Sequence, residues 1–202
     1  MSLWLAPDPL VLASRSAARR AMLEAAGIPI EIAPADIDER GVELRAAPAN
    51  ASEAALVLAR EKARTIAVRL PGRFIVGADQ TLALGRARFT KPADRAAAYE
   101  QLRSLSARTH ELHSAVAVAR DGRVIFSQID VAKLRMRALS DRFLDNYLDV
   151  VGDDVRQSVG GYRLEWLGAQ LFERIEGDYF TILGLPLLQL LAFLRREGCL
   201  AG

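Results

Sequence analysis

The sequence predicts an α/β fold built on a mixed sheet with flanking helices. Three observations carry this. Short apolar runs of strand length alternate with helix-like segments through the first part of the chain. Two longer runs then flank an Asp121-Gly122 turn, the signature of an antiparallel hairpin. Helical patterning returns after the hairpin and closes the chain.

Taken in order, Leu10–Ala13 is an apolar run expected to be a buried strand. Ser14-Arg15-Ser16 leads into a helix over Ala17–Ala26, stopped by Gly27. Ile28–Ala33 reads as strand and Pro34–Ala49 as a polar loop carrying Asp36, Asp38 and Glu39. Asn50–Leu70 is a long helix capped by Asn50 or Ser52. Phe74–Ala78 is a buried strand expected to end at Asp79. A helix over Asp94–Leu105 precedes the paired strands Glu111–Ala119 and Val124–Arg137. Ser140–Val151 is helical, and Val159–Tyr179 reads as irregular and Gly-rich. Pro186–Glu197 is a final helix, with Pro in its first turn and Gly198 just past its end. At 202 residues the chain suits one domain, 1–202.

Composition narrows the function. Hydrophobic residues make up 51% and charged residues 26%, enough apolar content for a sizeable core. A net charge of +2 is nearly balanced, which argues against a general nucleic-acid binder. The longest apolar stretch, Ile182–Leu194, is broken by Gly184, Pro186 and Gln189 and is shorter than the roughly 20 residues of a membrane span. The N-terminus lacks a basic segment and contains Pro7 and Pro9, so it does not read as a signal peptide. The single Cys199 allows no internal disulfide and fits a reducing compartment. A cytoplasmic protein that engages neither membrane nor nucleic acid is expected. A homodimer is left open.

Four places could carry chemistry. Ser14-Arg15-Ser16-Ala17-Ala18-Arg19-Arg20 joins a strand to a helix N-terminus, where free N–H groups and the dipole suit phosphate. Arg19 and Arg20 oppose that dipole, and an external anion would explain them. The alternative is that Ser16 is a plain cap and the arginines are solvated. Of 27 cations only three are lysines, Lys62, Lys91 and Lys133. Lys62 falls on the apolar face of its helix, among Ala55, Leu58, Ala59, Ala63 and Ile66, and must either snorkel out or meet an anion. Asp79 follows a buried strand, the usual place for ligand sites in α/β sheets, where it could hold Mg²⁺, take a proton from water, or simply form a turn. Lys91 precedes Pro92, which forces it to be extended. His110 and His113 read as strand residues, and nothing has the spacing of a zinc site or a Ser-His-Asp set.

Together these segments resemble the Maf family of nucleotide pyrophosphatases. The carriers are Leu10-Val-Leu-Ala-Ser14-Arg-Ser-Ala-Ala-Arg19-Arg20, Asp36-Ile-Asp-Glu39, Arg60-Glu-Lys62-Ala63, Gly77-Ala-Asp79-Gln80 and Lys91-Pro92. Gly160-Gly-Tyr162, Leu171-Phe-Glu173 and Leu183-Gly-Leu-Pro-Leu187 continue the series. Their order over nearly the whole length is what makes the resemblance specific. It implies a Maf/ITPase-like mixed twisted sheet, with two lobes around a deep cleft. It also implies metal-dependent hydrolysis of a nucleoside triphosphate to monophosphate and pyrophosphate, with Mg²⁺ or Mn²⁺ as cofactor. By position Asp79 matches the family's catalytic acid, and Ser14, Arg19, Glu39, Lys62 and Lys91 match its phosphate- and metal-handling residues. Glu39 and Asp79 would hold the metal.

Gln80 and Glu165 look like the branch acting on 7-methyl-GTP. Ala18 stands where that branch typically has Trp, and Ala17 where Pro is usual, so the base stays open. The rival reading is a nucleotide-binding regulator of septum formation that uses the same cleft without turnover.

Overall fold

The computed structural model describes residues 3–202. Met1 and Ser2, the start of the segment read as unlike a signal peptide, lie outside the described residues. Seven strands form one mixed sheet: β1 (Leu10–Leu12), β2 (Ile30–Ile32), β3 (Ile75–Leu84), β4 (Ala87–Phe89), β5 (Thr109–Arg120), β6 (Arg123–Met136) and β7 (Phe172–Glu176). The order is β2-β1-β3-β5-β6-β7, with β4 pairing β3 off that path. β1 runs parallel to β2 and β3, and the remaining pairs are antiparallel. The helices are α1 (Ala17–Ala25), α2 (Glu39–Ala46), α3 (Ala51–Arg69), α4 (Arg95–Leu105), α5 (Asp141–Val151), α6 (Tyr179–Ile182) and α7 (Leu187–Arg196). The predicted fold class, a mixed sheet with flanking helices, is borne out.

Strand alternation sorts the core. Leu10, Leu12, Val76, Ala78, Val116 and Val118 face α1 and α7, where they meet Met22, Leu23, Leu190 and Phe193. Val11, Ala13, Ile75, Ala115, Ala117 and Ala119 face α3, meeting Ala55, Ala59, Ala63 and Ile66. A third cluster gathers Leu82, Leu112, Leu134 and Met136 against Leu102 and Leu105 of α4 and Leu144 and Leu148 of α5. It lies at the far end of the long strands. Helix ends follow the cap chemistry: Asn50, Asp94 and Ser140 each accept a backbone N–H from their first turn. Asp121 and Gly122 both have positive φ, 51° and 74°, as a tight hairpin with this handedness requires.

Three segments differ from the sequence reading. The polar loop Pro34–Ala49 contains α2, capped by the Asp38 carboxylate, which accepts Gly41 N–H at 2.9 Å. Only Val42 of that helix is buried, so it left no apolar stripe to read. β3 does not end at Asp79 but continues to Leu84, because β5 pairs with it from Ile75 through Ala83. The parallel partner β1 does stop early, at Leu12 opposite Val76. Asp79 therefore lies beyond the end of β1 while still inside β3. The stretch Val159–Tyr179 holds 3₁₀ turns at Val159–Gly161 and Leu167–Leu171 and the exposed strand β7. β7 pairs on one side only, so its charged sequence Phe-Glu-Arg-Ile-Glu gave little alternation to detect.

The two histidines go to opposite faces of β5. His110 is fully buried, with Nε2 2.6 Å from the Tyr162 hydroxyl. His113 Nδ1 lies 2.8 Å from the Ser52 hydroxyl at the start of α3. No group of three or more His, Cys, Asp or Glu side chains among the described residues could hold a metal alone. No helix is long and apolar enough to cross a membrane among those residues.

Candidate active site

Alternation along β3 decides which side chains can meet. Val76 and Ala78 face α1 and α7, so Asp79 shares the α3 face with Ile75. The approach of α3 to that face is unusually close because Gly77 has no side chain and the facing helix offers Ala59 and Ala63. Within this contact, directly before Ala63, is Lys62, only 9% exposed. It does not snorkel. Its ammonium lies 2.6 Å from Asp79 Oδ1 and 2.7 Å from Glu39 Oε1. Glu39 is the first residue of α2, the helix that the sequence reading had as loop.

Arg19 completes the cluster from α1. Nε donates to the Gly184 carbonyl at 2.8 Å, and Nη1 donates to the Ala78 carbonyl at 2.9 Å and the Ser14 hydroxyl at 3.2 Å. A guanidinium has five N–H groups. Three are committed to these acceptors, which leaves the two on Nη2 without a partner among the described residues. Ser16 is a helix cap, accepting Arg19 N–H at 3.4 Å. Arg20 turns to solvent and pairs with Glu24 at 2.8 Å. The two arginines therefore divide the alternatives set out above.

The electrostatics follow from burial. Asp79's carboxyl is raised above the ordinary carboxylate value by burial, which outweighs the opposing pull of Lys62 and Arg19. Burial also lowers the Arg19 guanidinium, against the fields of Asp79 and Glu39. Lys91, exposed just after β4, has its ammonium lowered by partial burial and then by Arg19 and Lys62, while Glu39 and Asp79 pull the other way. Its electrostatic neighbours are thus the cluster itself. Three cations against two carboxylates give a net charge of +1, suited to a polyanion.

The divalent cation implied by the family resemblance can be tested on the donors present. Asp79 and Glu39 each place one oxygen on the same ammonium, so their carboxylates converge. Mg²⁺ typically takes one or two carboxylates and fills its other positions with water and substrate phosphate. The pair fits that pattern.

The other sequence candidates are placed differently. Gln80 lies on the opposite face of β3 from Asp79, with its amide directed to Ser114, Thr181 and Ile182. Glu165 is exposed, in the turn-rich segment before β7, 3.9 Å from Arg163. Among the described residues, no hydrogen bond or ion pair joins Glu165 to the Lys62 cluster. Ala18 is half-buried on α1 beside Arg19. Sequence reasoning missed the role of Gly184 and the Ala78 carbonyl, since backbone acceptors carry no residue signature. The only available hint was a Gly inside Leu183-Gly-Leu-Pro-Leu187.

Comparison with known proteins gives a consistent picture. Residues 9–197 match the family model described as Maf-like protein. A nucleoside triphosphate pyrophosphatase of Rhodopseudomonas palustris (strain ATCC BAA-98 / CGA009) is 54% identical, with both chains covered in full. A 7-methyl-GTP pyrophosphatase of Brucella abortus biovar 1 (strain 9-941) is 49% identical over 96% of this chain and 98% of its own. Among solved structures, a HAM1 protein from Coxiella burnetii matches with a TM-score of 0.53 and 19% identity, covering 93% of this chain and 98% of that one. At that identity the likeness concerns the fold alone.

Proposed function

The chain belongs to the Maf-like protein family, and from that premise we propose that it hydrolyses a nucleoside triphosphate to the monophosphate and pyrophosphate. The observation that carries this is the Lys62 ammonium held between Asp79 and Glu39, with Arg19 beside it.

In this reading Asp79 is the general base. Its raised carboxyl makes it a stronger proton acceptor than an exposed carboxylate, closer to working pH. Asp79 takes a proton from water as the water oxygen bonds to the α-phosphorus. The bond from that phosphorus to the bridging oxygen breaks, and pyrophosphate leaves with the electron pair. Lys62 holds the carboxylate in place, and Nη2 of Arg19 offers its two uncommitted N–H groups to a phosphate. Lys91 adds a further positive charge. Glu39 and Asp79 would hold the divalent cation, which when bound supplies charge neutralisation and orientation of the phosphates.

Glu165 is the proposed base reader, because a carboxylate accepts from the N1–H and amine edge of guanine. The names of the two relatives frame the choice between a broad nucleotide range and 7-methyl-GTP.

The experiment is pyrophosphate release from a panel of GTP, 7-methyl-GTP, UTP and dTTP, with Mg²⁺ and with Mn²⁺. Release of pyrophosphate with equimolar monophosphate supports the reading. Nucleotide binding without release would support the regulator instead.

A further inference from the structure

Gln80 and Ser114 sit opposite each other on β3 and β5, on the face away from Asp79. Both reach the last residues of α6, where it turns into Leu183 and Gly184. Ser114 Oγ donates to the Thr181 carbonyl at 2.7 Å, and Gln80 Nε2 donates to the carbonyls of Thr181 at 3.2 Å and Ile182 at 3.0 Å. Ser114 and Thr181 are fully buried. Two carbonyl acceptors fix which end of the Gln80 amide is the nitrogen. On the far side, Thr181 Oγ1 donates to Asp130 at 2.9 Å, and Asp130 lies opposite Ser114 on β6. The turn is thus fastened to three neighbouring strands by a row of polar side chains between two apolar clusters.

What the turn delivers is the Gly184 carbonyl. Gly184 N–H closes the turn onto the Thr181 carbonyl at 3.0 Å, and its φ of 99° is one that side-chain-bearing residues rarely adopt. Its carbonyl oxygen accepts Arg19 Nε at 2.8 Å. A side-chain carbon on Gly184 would stand 3.5 Å from Arg19 Nη2 and 3.6 Å from Gln80 Cδ, so the two residues are neighbours across this glycine. Of the three acceptors that orient Arg19, this one alone comes from outside β1, β3 and the β1–α1 connection.

We propose that Gln80 and Ser114 are positioning residues: by pinning the Thr181–Gly184 turn they set the orientation of the Arg19 guanidinium, and so govern triphosphate handling irrespective of the base. The proposal rests on the pyrophosphatase reading above. It assigns Gln80 a different task from the base contact expected of it in the sequence. The amide N–H groups are already committed to the protein.

The test measures kcat and KM across the four-nucleotide panel for wild type, Gln80→Leu and Ser114→Ala, with calorimetric binding of inorganic pyrophosphate. Positioning predicts that kcat/KM falls by a similar factor for every nucleotide, about 10-fold or more for Gln80→Leu and less for Ser114→Ala. Pyrophosphate binding should weaken in parallel. Guanidinium ion added to Arg19→Ala should restore part of the activity, and adding Gln80→Leu to that variant should remove the rescue. A changed nucleotide ranking with unaltered pyrophosphate binding would overturn the proposal in favour of base reading. Unchanged kinetics in both variants would overturn it too. If wild type turns over no nucleotide, the pyrophosphatase reading fails, while the pyrophosphate binding series still reports on Arg19. Should Gln80→Leu not fold, Ser114→Ala and Thr181→Val carry the same comparison.

Discussion

A side-chain carbon on Gly77 would lie 2.6 Å from the backbone nitrogen of Ala63, so β3 and α3 meet backbone to backbone at that point. This contact sets the height of α3 above the sheet and brings Lys62 onto Asp79. Gly77→Ala should push the helix away, since overpacking in such a contact costs about 1–3 kcal/mol. The expected outcome is a lower unfolding midpoint together with a loss of kcat larger than the loss of stability explains. Wild-type turnover in a folded Gly77→Ala protein would show that the close approach does not matter for the site.

Lys62→Met keeps the unbranched stem on the buried face but removes the ammonium between Glu39 and Asp79. Activity should fall by roughly 100-fold or more. Asp79 already binds its proton more tightly in the folded wild-type chain than in the unfolded one, and losing the cation strengthens that binding further. The variant's destabilisation relative to wild type should therefore grow as pH rises through the Asp79 value and shrink in acid. Denaturant unfolding at several pH values measures this, and a difference independent of pH would contradict it.

His110 gives a second pH signature, away from the site. Burial lowers it from 6.5 to about 4, and among the described residues the one hydrogen-bonding contact of its ring is with the Tyr162 hydroxyl. A depressed histidine contributes stability above its unfolded value and loses it as pH falls from 6.5 toward 4. That shift is worth about 3 kcal/mol at most. His110→Gln should flatten the wild-type loss of stability across this window by up to that amount. An equally steep loss in the variant would refute the assignment.

Base choice is tested at Glu165. Glu165→Gln adds donors where guanine offers donors, and should erode a guanine preference by about 10-fold while sparing pyrophosphate release itself. Ala18→Trp should raise use of 7-methyl-GTP over GTP by supplying a stacking face for the cationic ring. Values of kcat/KM over the nucleotide panel decide both. An unchanged ranking in both variants would remove these residues from base recognition.

The parts of this molecule that were legible in sequence are those whose periodicity or caps report burial. The apolar stripe of α3 and the capping Asn50 placed that helix correctly, and the stripe also exposed Lys62 as an anomaly. The Asp121-Gly122 turn announced the hairpin. What stayed hidden was held by long-range contacts instead. α2 buries only Val42, yet its first residue brings Glu39 to Lys62. β3 runs past Asp79 because β5 is there to pair with it, and no local pattern encodes that partner. Arg19's orientation depends on the Gly184 carbonyl, 165 residues away, which no residue type could signal.

In the proposed mechanism Asp79, held by Lys62, activates the attacking water. Asp79→Asn preserves volume and hydrogen bonding but removes the proton acceptor. The most direct measurement is single-turnover release of pyrophosphate by wild type and Asp79→Asn, with nucleotide binding measured on the same samples. Binding should be retained within a few-fold while kcat falls by about 1000-fold or more. Near-wild-type kcat in Asp79→Asn would contradict it.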